Sequence, residues 1–262
     1  MEFDFSPDQR LLKDQARRFL AAHCDRNAVR AVLDGPQAFD ATLWKGLATQ
    51  GYLGAAIPEA YGGLGAGYLA LCVIAEELGR AVAPVPFSSS IGLATELLLQ
   101  AGSEAQKQRW LPALASGQMI GTLALAERPG RVTAGSISTT ATHGSLSGSK
   151  LPVADGDIAD FAVVAAHDEG GDPAAISLFI VVLDGAGVQR ETLPSIDPTR
   201  SQARITFTAA QAEPLGAASA GWPILSAVFD RAAVKVMRAW LRVGSMLVRV
   251  SRCTPAPSST TM

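Results

Sequence analysis

GSEAQKQRWLPALASGQMIGTLALAE, residues 102–127, is where the chain changes character. Glu104 to Ala115 fits a helix, whereas from Gly121 onward the residues are strand-like. Upstream, every periodic segment is helical. Ser6-Pro7-Asp8-Gln9 is a capping box with proline at the first helical position, and Leu11, Leu12, Gln15, Phe19 and Leu20 continue at helical spacing to about Cys24. Phe39 to Gln50 reads as a second helix ended by Gly51, and Tyr68 to Leu78 as a third stopped by Gly79 and then Pro84 and Pro86. Ser88 to Ala101 makes one more before Glu104. Downstream, short runs rich in Val, Ile, Thr and Phe alternate with Gly, Asp and Pro: 121–125, 136–142, 145–150, 161–166, 177–183, 188–193 and 203–208. Such spacing predicts an antiparallel sandwich or barrel. The fold class is therefore α+β and multidomain: an all-α N-terminal domain over 1–120, an antiparallel β-barrel or sandwich domain over 121–214, and a partial C-terminal helical segment over 215–252. A Pro/Ser/Thr-rich end, 253–262, reads as a disordered tail.

The 262 residues, 48% hydrophobic and 18% charged, are enough for a sizeable core. Met-Glu-Phe-Asp-Phe lacks the basic and apolar regions of a secretion signal, and no apolar run approaches the roughly 20 residues of a membrane-spanning helix. Cys24, Cys72 and Cys253 are odd in number and widely separated, which predicts buried thiols in a reducing, cytoplasmic setting. No nucleic-acid partner and no membrane span are expected. The net charge of −2 conceals an asymmetry: no acid follows Asp230, while six of the 22 basic residues lie beyond it. Arg231, Lys235, Arg238, Arg242, Arg249 and Arg252 would form one stripe on a helix. That stripe is either a solvated face or a basic surface for a partner or an anionic membrane.

Chemistry-bearing motifs are sparse. PEAYGGLG, residues 58–65, has the glycines of a phosphate loop, but Tyr68 stands where a dinucleotide fingerprint needs its third glycine and no Gly-Lys-Ser/Thr follows. A tight turn between helices is the expected reading. Ser147-Gly148-Ser149-Lys150 matches S-x-x-K without its companion elements, so a turn at a strand end is expected. His23, His143 and His167 read as surface or loop histidines, and Glu76-Glu77 as part of a solvated helix face. Asp155, Asp157 and Asp160 begin like a calcium loop, yet no spaced glutamate completes one. No metal site is expected. These residues alone assign no activity.

PEAYGGLG, then AEELGRAVAP at 75–84, then the stretch at 102–127, closely resemble acyl-CoA dehydrogenases in order and spacing. LSGSKLPVADGDIADFAVVA, 146–165, looks like that family's flavin-contacting β segment, and PLGAASAGWPILSAVFDRAAV, 214–234, is similar to the start of its C-terminal helices. The resemblance implies a flavoprotein of fatty-acid or steroid side-chain β-oxidation that desaturates an acyl-CoA thioester with FAD. It also implies an electron-transfer acceptor and a homo- or hetero-oligomer with a complete acyl-CoA dehydrogenase. In the family a glutamate of the C-terminal helical domain removes the α proton. No residue here matches that base, neither Glu127 nor Glu191 is appointed to it, and no catalytic residue is assigned. The segment after Val234 departs from the family, as a natural truncation, a shifted reading frame or a divergent end.

The flavin segments also depart from the pattern. Where the family has Thr-Glu-Pro and Gly-Ser-Asp, this chain has Ala126-Glu127-Arg128-Pro129-Gly130-Arg131-Val132. Where the family places Trp-Ile-Thr, it has Pro152-Val153-Ala154. Hydroxyl contacts and an aromatic platform are lost. The resemblance therefore carries over Leu125, Ala126, Glu127, Pro152, Val153 and Ala154 as cofactor-site candidates through their backbone, in a manner reminiscent of relatives that work as unequal subunit pairs. A non-catalytic partner subunit is the alternative function.

Overall fold

The computed structural model describes residues 6–195 and 197–232. Helices come first. α1 (Pro7–His23) starts on the expected capping box: Gln9 N donates to Ser6 Oγ at 3.2 Å and Ser6 N to Gln9 Oε1 at 3.1 Å. α2 (Arg26–Leu33) was not anticipated from periodicity; its signal is Asp25, whose carboxylate caps Ala28 N at 2.8 Å. α3 (Ala41–Thr49) is capped in the same way by Asp40. α4 (Gly67–Arg80) runs through Gly79, where an added Cβ would meet nothing. The stop comes later, at Val82, which takes a left-handed φ of 51° ahead of Pro84. The predicted helix over 88–101 is two geometries end to end, a π-helical stretch (Ser88–Ala94) followed by α5 (Thr95–Ala101), with Thr95 Oγ1 on Ser90 O at 3.0 Å. α6 (Glu104–Ala115) has a second capping box, on Ser103 and Gln106.

The strands are β1 (Gly121–Ala124), β2 (Thr140–Thr142), β3 (Ser145–Ala154), β4 (Phe161–Asp168), β5 (Ser177–Val182), β6 (Val188–Leu193), β7 (Gln202–Gln211) and β8 (Glu213–Leu215). They form an antiparallel-rich sheet in the order β6-β7-β3-β2-β4-β5-β8, with β1 beside β4. Two pairings are parallel, β1 with β4 and β2 with β4. β8 was not foreseen, and β2 is shorter than the strand expected over 136–142. The reason is a competing acceptor: Glu127 takes the amides of Ser138 and Thr139 at 2.7 and 2.9 Å, so pairing begins only at Thr140. Residues 221–232 are helical again. The basic stripe from Lys235 to Arg252, the tail 253–262 and Cys253 lie outside the described residues. Arg231 lies within them and pairs with the buried Glu96 of α5 at 2.5 Å.

β4 shows how helices and sheet share their interior. Alternate strand residues face opposite sides, and from Phe161 to Ala166 both sides are buried. Ala162, Val164 and Ala166 join a core with Leu47, Ile74, Ile91 and Phe207. Phe161, Val163 and Ala165 join a second core with Leu97, Trp110, Leu114 and Leu225. The seam between the halves is close. A Cβ on Gly121 would lie 2.6 Å from Phe161 Cζ and 2.7 Å from Ala94 Cβ, so only glycine lets β1 approach both. The π-helical turn directs Ser90 Oγ to accept from Gly121 N at 3.2 Å and Ser89 Oγ to donate to Asp155 at 2.5 Å.

Candidate functional site

β1 runs out into Leu125, Ala126 and Glu127, and the end of β3 brings Lys150 to Ala154 beside them. Three contacts make the juxtaposition. Leu151 N donates to Ala126 O at 2.9 Å, Lys150 Nζ donates to Leu125 O at 3.2 Å, and the same ammonium meets Glu127 Oε1 at 2.8 Å. Farther along, Thr122 Oγ1 donates to Ala154 O at 2.6 Å. The two groups of candidate residues therefore lie together. Their side chains differ in use: Val153 is fully buried in the core and offers its backbone alone, Pro152 is exposed, and Ala126 and Ala154 are half-buried.

Glu127 is the most heavily engaged carboxylate of the site. Besides Lys150, it accepts from the amides and hydroxyls of Ser138 and Thr139, four contacts between 2.7 and 2.9 Å. Burial pushes its pKa up, but hydrogen bonds from Lys150, Thr139 and Ser138 outweigh burial and bring it down to about 2. Lys150 is fully buried, and burial lowers its pKa against the opposing pull of Glu127. The pair is thus worth less than the downward shift of the carboxylate alone. A carboxylate with five donors and so low a pKa is a poor proton acceptor near neutrality. Glu191, the other carboxylate considered, is exposed on β6 and paired with Arg204 at 2.7 Å.

Lys150 is a buried charged side chain at the candidate site that sequence reasoning passed over. Within Ser147–Lys150 the serine and lysine do not meet: Ser147 is exposed and accepts from Ala209 N at 3.2 Å, whereas Lys150 points inward. The one available signal was a lysine at an inward-facing position of a strand. Because Glu127 grips Ser138 and Thr139, it also closes the loop between them. Arg131, Val132 and Thr133 of that loop form one wall of a pocket of about 570 Å³, with Trp222, Phe229 and Asp230 of the last helical run opposite.

A flavin edge placed here would have to be met by backbone, since Ala126, Pro152 and Ala154 supply neither hydroxyl nor aromatic ring. The amides of Ala126 and Glu127 donate to no group among the described residues. Half-buried backbone donors beside an exposed edge fit a polar ring system, so the segments suit FAD through main-chain contacts.

The other candidates disperse. In PEAYGGLG the amides of Gly63, Leu64 and Gly65 go to Pro58 O, Gly54 O and Ile57 O at 3.2, 3.0 and 2.9 Å, so none is left for a phosphate. Gly62 caps a 3-10 turn at φ 78°, and a Cβ on Gly63 would strike Ile57 O at 2.0 Å. The glycines shape a turn. Asp155 accepts from Ser89 and, at 3.5 Å, from Ser201, which also donates to Asp157, while Asp160 accepts from Ile120 N, and no cluster suited to a metal exists among the described residues. His23 and His143 are exposed, but His167 lies on β4 with its ring nitrogens 2.7 and 3.1 Å from Ala175 O and Ala134 O. The solvated-face reading of Glu76-Glu77 is corrected too: the Glu77 side chain is 1% exposed and held by Arg17 at 2.8 Å and Arg80 at 3.2 Å. Cys24 and Cys72 are buried thiols outside any disulfide, as expected. Among the described residues no helix is long and apolar enough to cross a membrane.

Comparison with known proteins agrees with this architecture. Residues 6–118 match the family model "Acyl-CoA dehydrogenase, N-terminal domain". The mitochondrial isovaleryl-CoA dehydrogenase of Pongo abelii is 35% identical over 187 residues, which cover 67% of this chain and 44% of the relative. The chain therefore spans under half the length of that relative. Among solved structures, a variant of the "Tcur3481-Tcur3483 steroid ACAD" superposes with a TM-score of 0.77 at 31% identity, covering 93% of this chain and 65% of the other. The ChsE4-ChsE5 complex from Mycobacterium tuberculosis gives 0.77 at 26% identity, covering 98% of this chain and 70% of the other. With this sequence likeness, and with helices followed by an antiparallel-rich sheet as in these solved structures, the chain belongs to the acyl-CoA dehydrogenase family.

Proposed function

We propose that this chain provides the helical and β parts of a flavin-dependent acyl-CoA dehydrogenase, with FAD along 125–127 and 152–154 and an acyl thioester in the pocket walled by Arg131, Thr133 and Phe229. The observation that carries the reading is the meeting of the two backbone segments beside that pocket. Bound FAD would supply the hydride acceptor of an α,β-dehydrogenation. The chain's own residues would present amides to the flavin edge, cover the acyl chain with Val132, Trp222 and Phe229, and exclude water from it. Proton removal is another matter. Glu127 is saturated and Glu191 faces solvent across the sheet edge, so neither serves as the base. No base is assigned within this chain: no acid follows Asp230 in the sequence, so on this reading the carboxylate is supplied by a second subunit.

That requirement supports a second reading, a supporting subunit for a complete homologue. Ala126, Pro152 and Ala154 lack the groups through which the family touches flavin, and two similar solved structures bear names that pair two proteins. Purification decides between the readings. A yellow chain that bleaches on addition of acyl-CoA supports the enzyme. A colourless chain that co-purifies with a larger homologue supports the partner role, and a colourless chain that binds neither flavin nor homologue removes both.

A further inference from the structure

We propose that Glu127 and Lys150 are positioning residues for the flavin edge: together they hold residues 125–127 against 150–152 and anchor the loop that walls the adjoining pocket. The inference rests on the flavin reading above. Its grounds are geometric. Lys150 reaches both the carbonyl of Leu125 and the carboxylate of Glu127, so one buried ammonium fixes two points of the first segment from the second. The other contacts of Glu127, to Ser138 and Thr139, close the loop from 127 to 139 at its base. Between them runs a single main-chain link, Leu151 N to Ala126 O.

The location matters because the side chains at 126, 152 and 154 bring no hydroxyl or ring. The flavin edge can then be recognised only by where the main chain lies, and main-chain placement at two segment ends is what this pair controls. Neither residue needs to touch the flavin. Such buried outer partners fix inner contacts by removing alternatives for the backbone, and their loss is felt in the bound group rather than at the partner itself.

The test compares the full wild-type chain with Glu127→Gln/Lys150→Met, a double variant that removes both charges and so avoids leaving one buried alone. Without flavin, amide exchange at Leu151 and Thr139 should rise about tenfold or more while that at Ile74, deep in α4, stays unchanged. With FAD titrated by flavin fluorescence, the double variant should bind about tenfold more weakly or worse. Unchanged exchange at Leu151 and Thr139, or an equal rise at Ile74, overturns the positioning role, the latter because the pair would then be a general stabiliser. FAD binding as tight as wild type overturns it as well. Absence of FAD binding by the wild-type chain is a different failure: it removes the flavin reading, and this role with it.

Discussion

Two carboxylates withdrawn from water, the buried Glu77 between α1 and α4 and the partly buried Glu127 between β1 and β3, answer the same problem in opposite ways. The Glu77 side chain is 1% exposed and lies among three cations, Arg17 at 2.8 Å, Arg80 at 3.2 Å and Lys13 at 3.6 Å. Two of those cations, Arg17 and Arg80, are about half in water, at 44% and 58% exposure. Glu127 has a single cation, itself fully buried, and four neutral donors from Ser138 and Thr139. At Glu77 burial raises the pKa, and the hydrogen bonds and charges of Arg17 and Arg80 overcome it to leave the group below its usual value. The difference teaches where rigidity is invested. Exposed arginines can swing into solvent and return, so the helical seam tolerates adjustment. A lysine without access to water and a carboxylate with every lone pair taken cannot readjust singly, and that kind of anchor sits at the candidate site.

The largest effect expected from this contrast is at Lys150. Lys150→Met alone leaves Glu127 charged, partly buried and without its cation, and should destabilise the chain by roughly 3–5 kcal/mol in urea unfolding. Adding Glu127→Gln should recover most of that loss; no recovery would mean that the lysine stem, and not the charge, is what matters. Acid gives the next effect. Because the folded-state pKa of Glu127 is depressed to about 2 from 4.5, its contribution is present above the unfolded value and lost as pH falls from about 4.5 toward 2. The loss should reach up to roughly 3 kcal/mol in total. An acid titration of the Glu127→Gln/Lys150→Met chain should show a correspondingly shallower fall, and identical slopes would refute the assignment. Glu77→Gln comes third, at about 1–3 kcal/mol, since Arg17 and Arg80 can rehydrate once the charge is gone. Smallest is Arg80→Ala, at about 1 kcal/mol or less for an exposed partner, with a midpoint shift that vanishes in high salt. If Arg80→Ala cost as much as Lys150→Met, the contrast between the two anchors would fail.

Much of the fold was open to reading because its signals are local. The capping box at Ser6 is a hydroxyl and an amide three residues apart, and it forms as written. The change at Gly121 is a change of period, and helices do give way to strands there. Errors fell where a distant group overrode local preference. Residues 136–139 have strand composition, but Glu127 captures two of their amides. Gly79 has the composition of a stop, but the packed α4 continues through it. Glu76-Glu77 reads as a surface pair because the cations that hold Glu77 include Lys13 and Arg17, some 60 positions away in the chain.

Sequence by itself determined that helices precede strands, and the family, because each depends on neighbours within a few residues or on motifs kept in order. It also determined that no hydroxyl or aromatic side chain stands at 126, 152 and 154. Only the tertiary structure decided that Lys150 is buried, that Glu127 has five donors and no freedom to act as a base, and that β4 feeds two cores with alternate side chains. Those facts depend on which strands lie side by side. A one-dimensional pattern carries each residue's preference for burial, but the partner that makes burial of a charge tolerable is chosen by the packing.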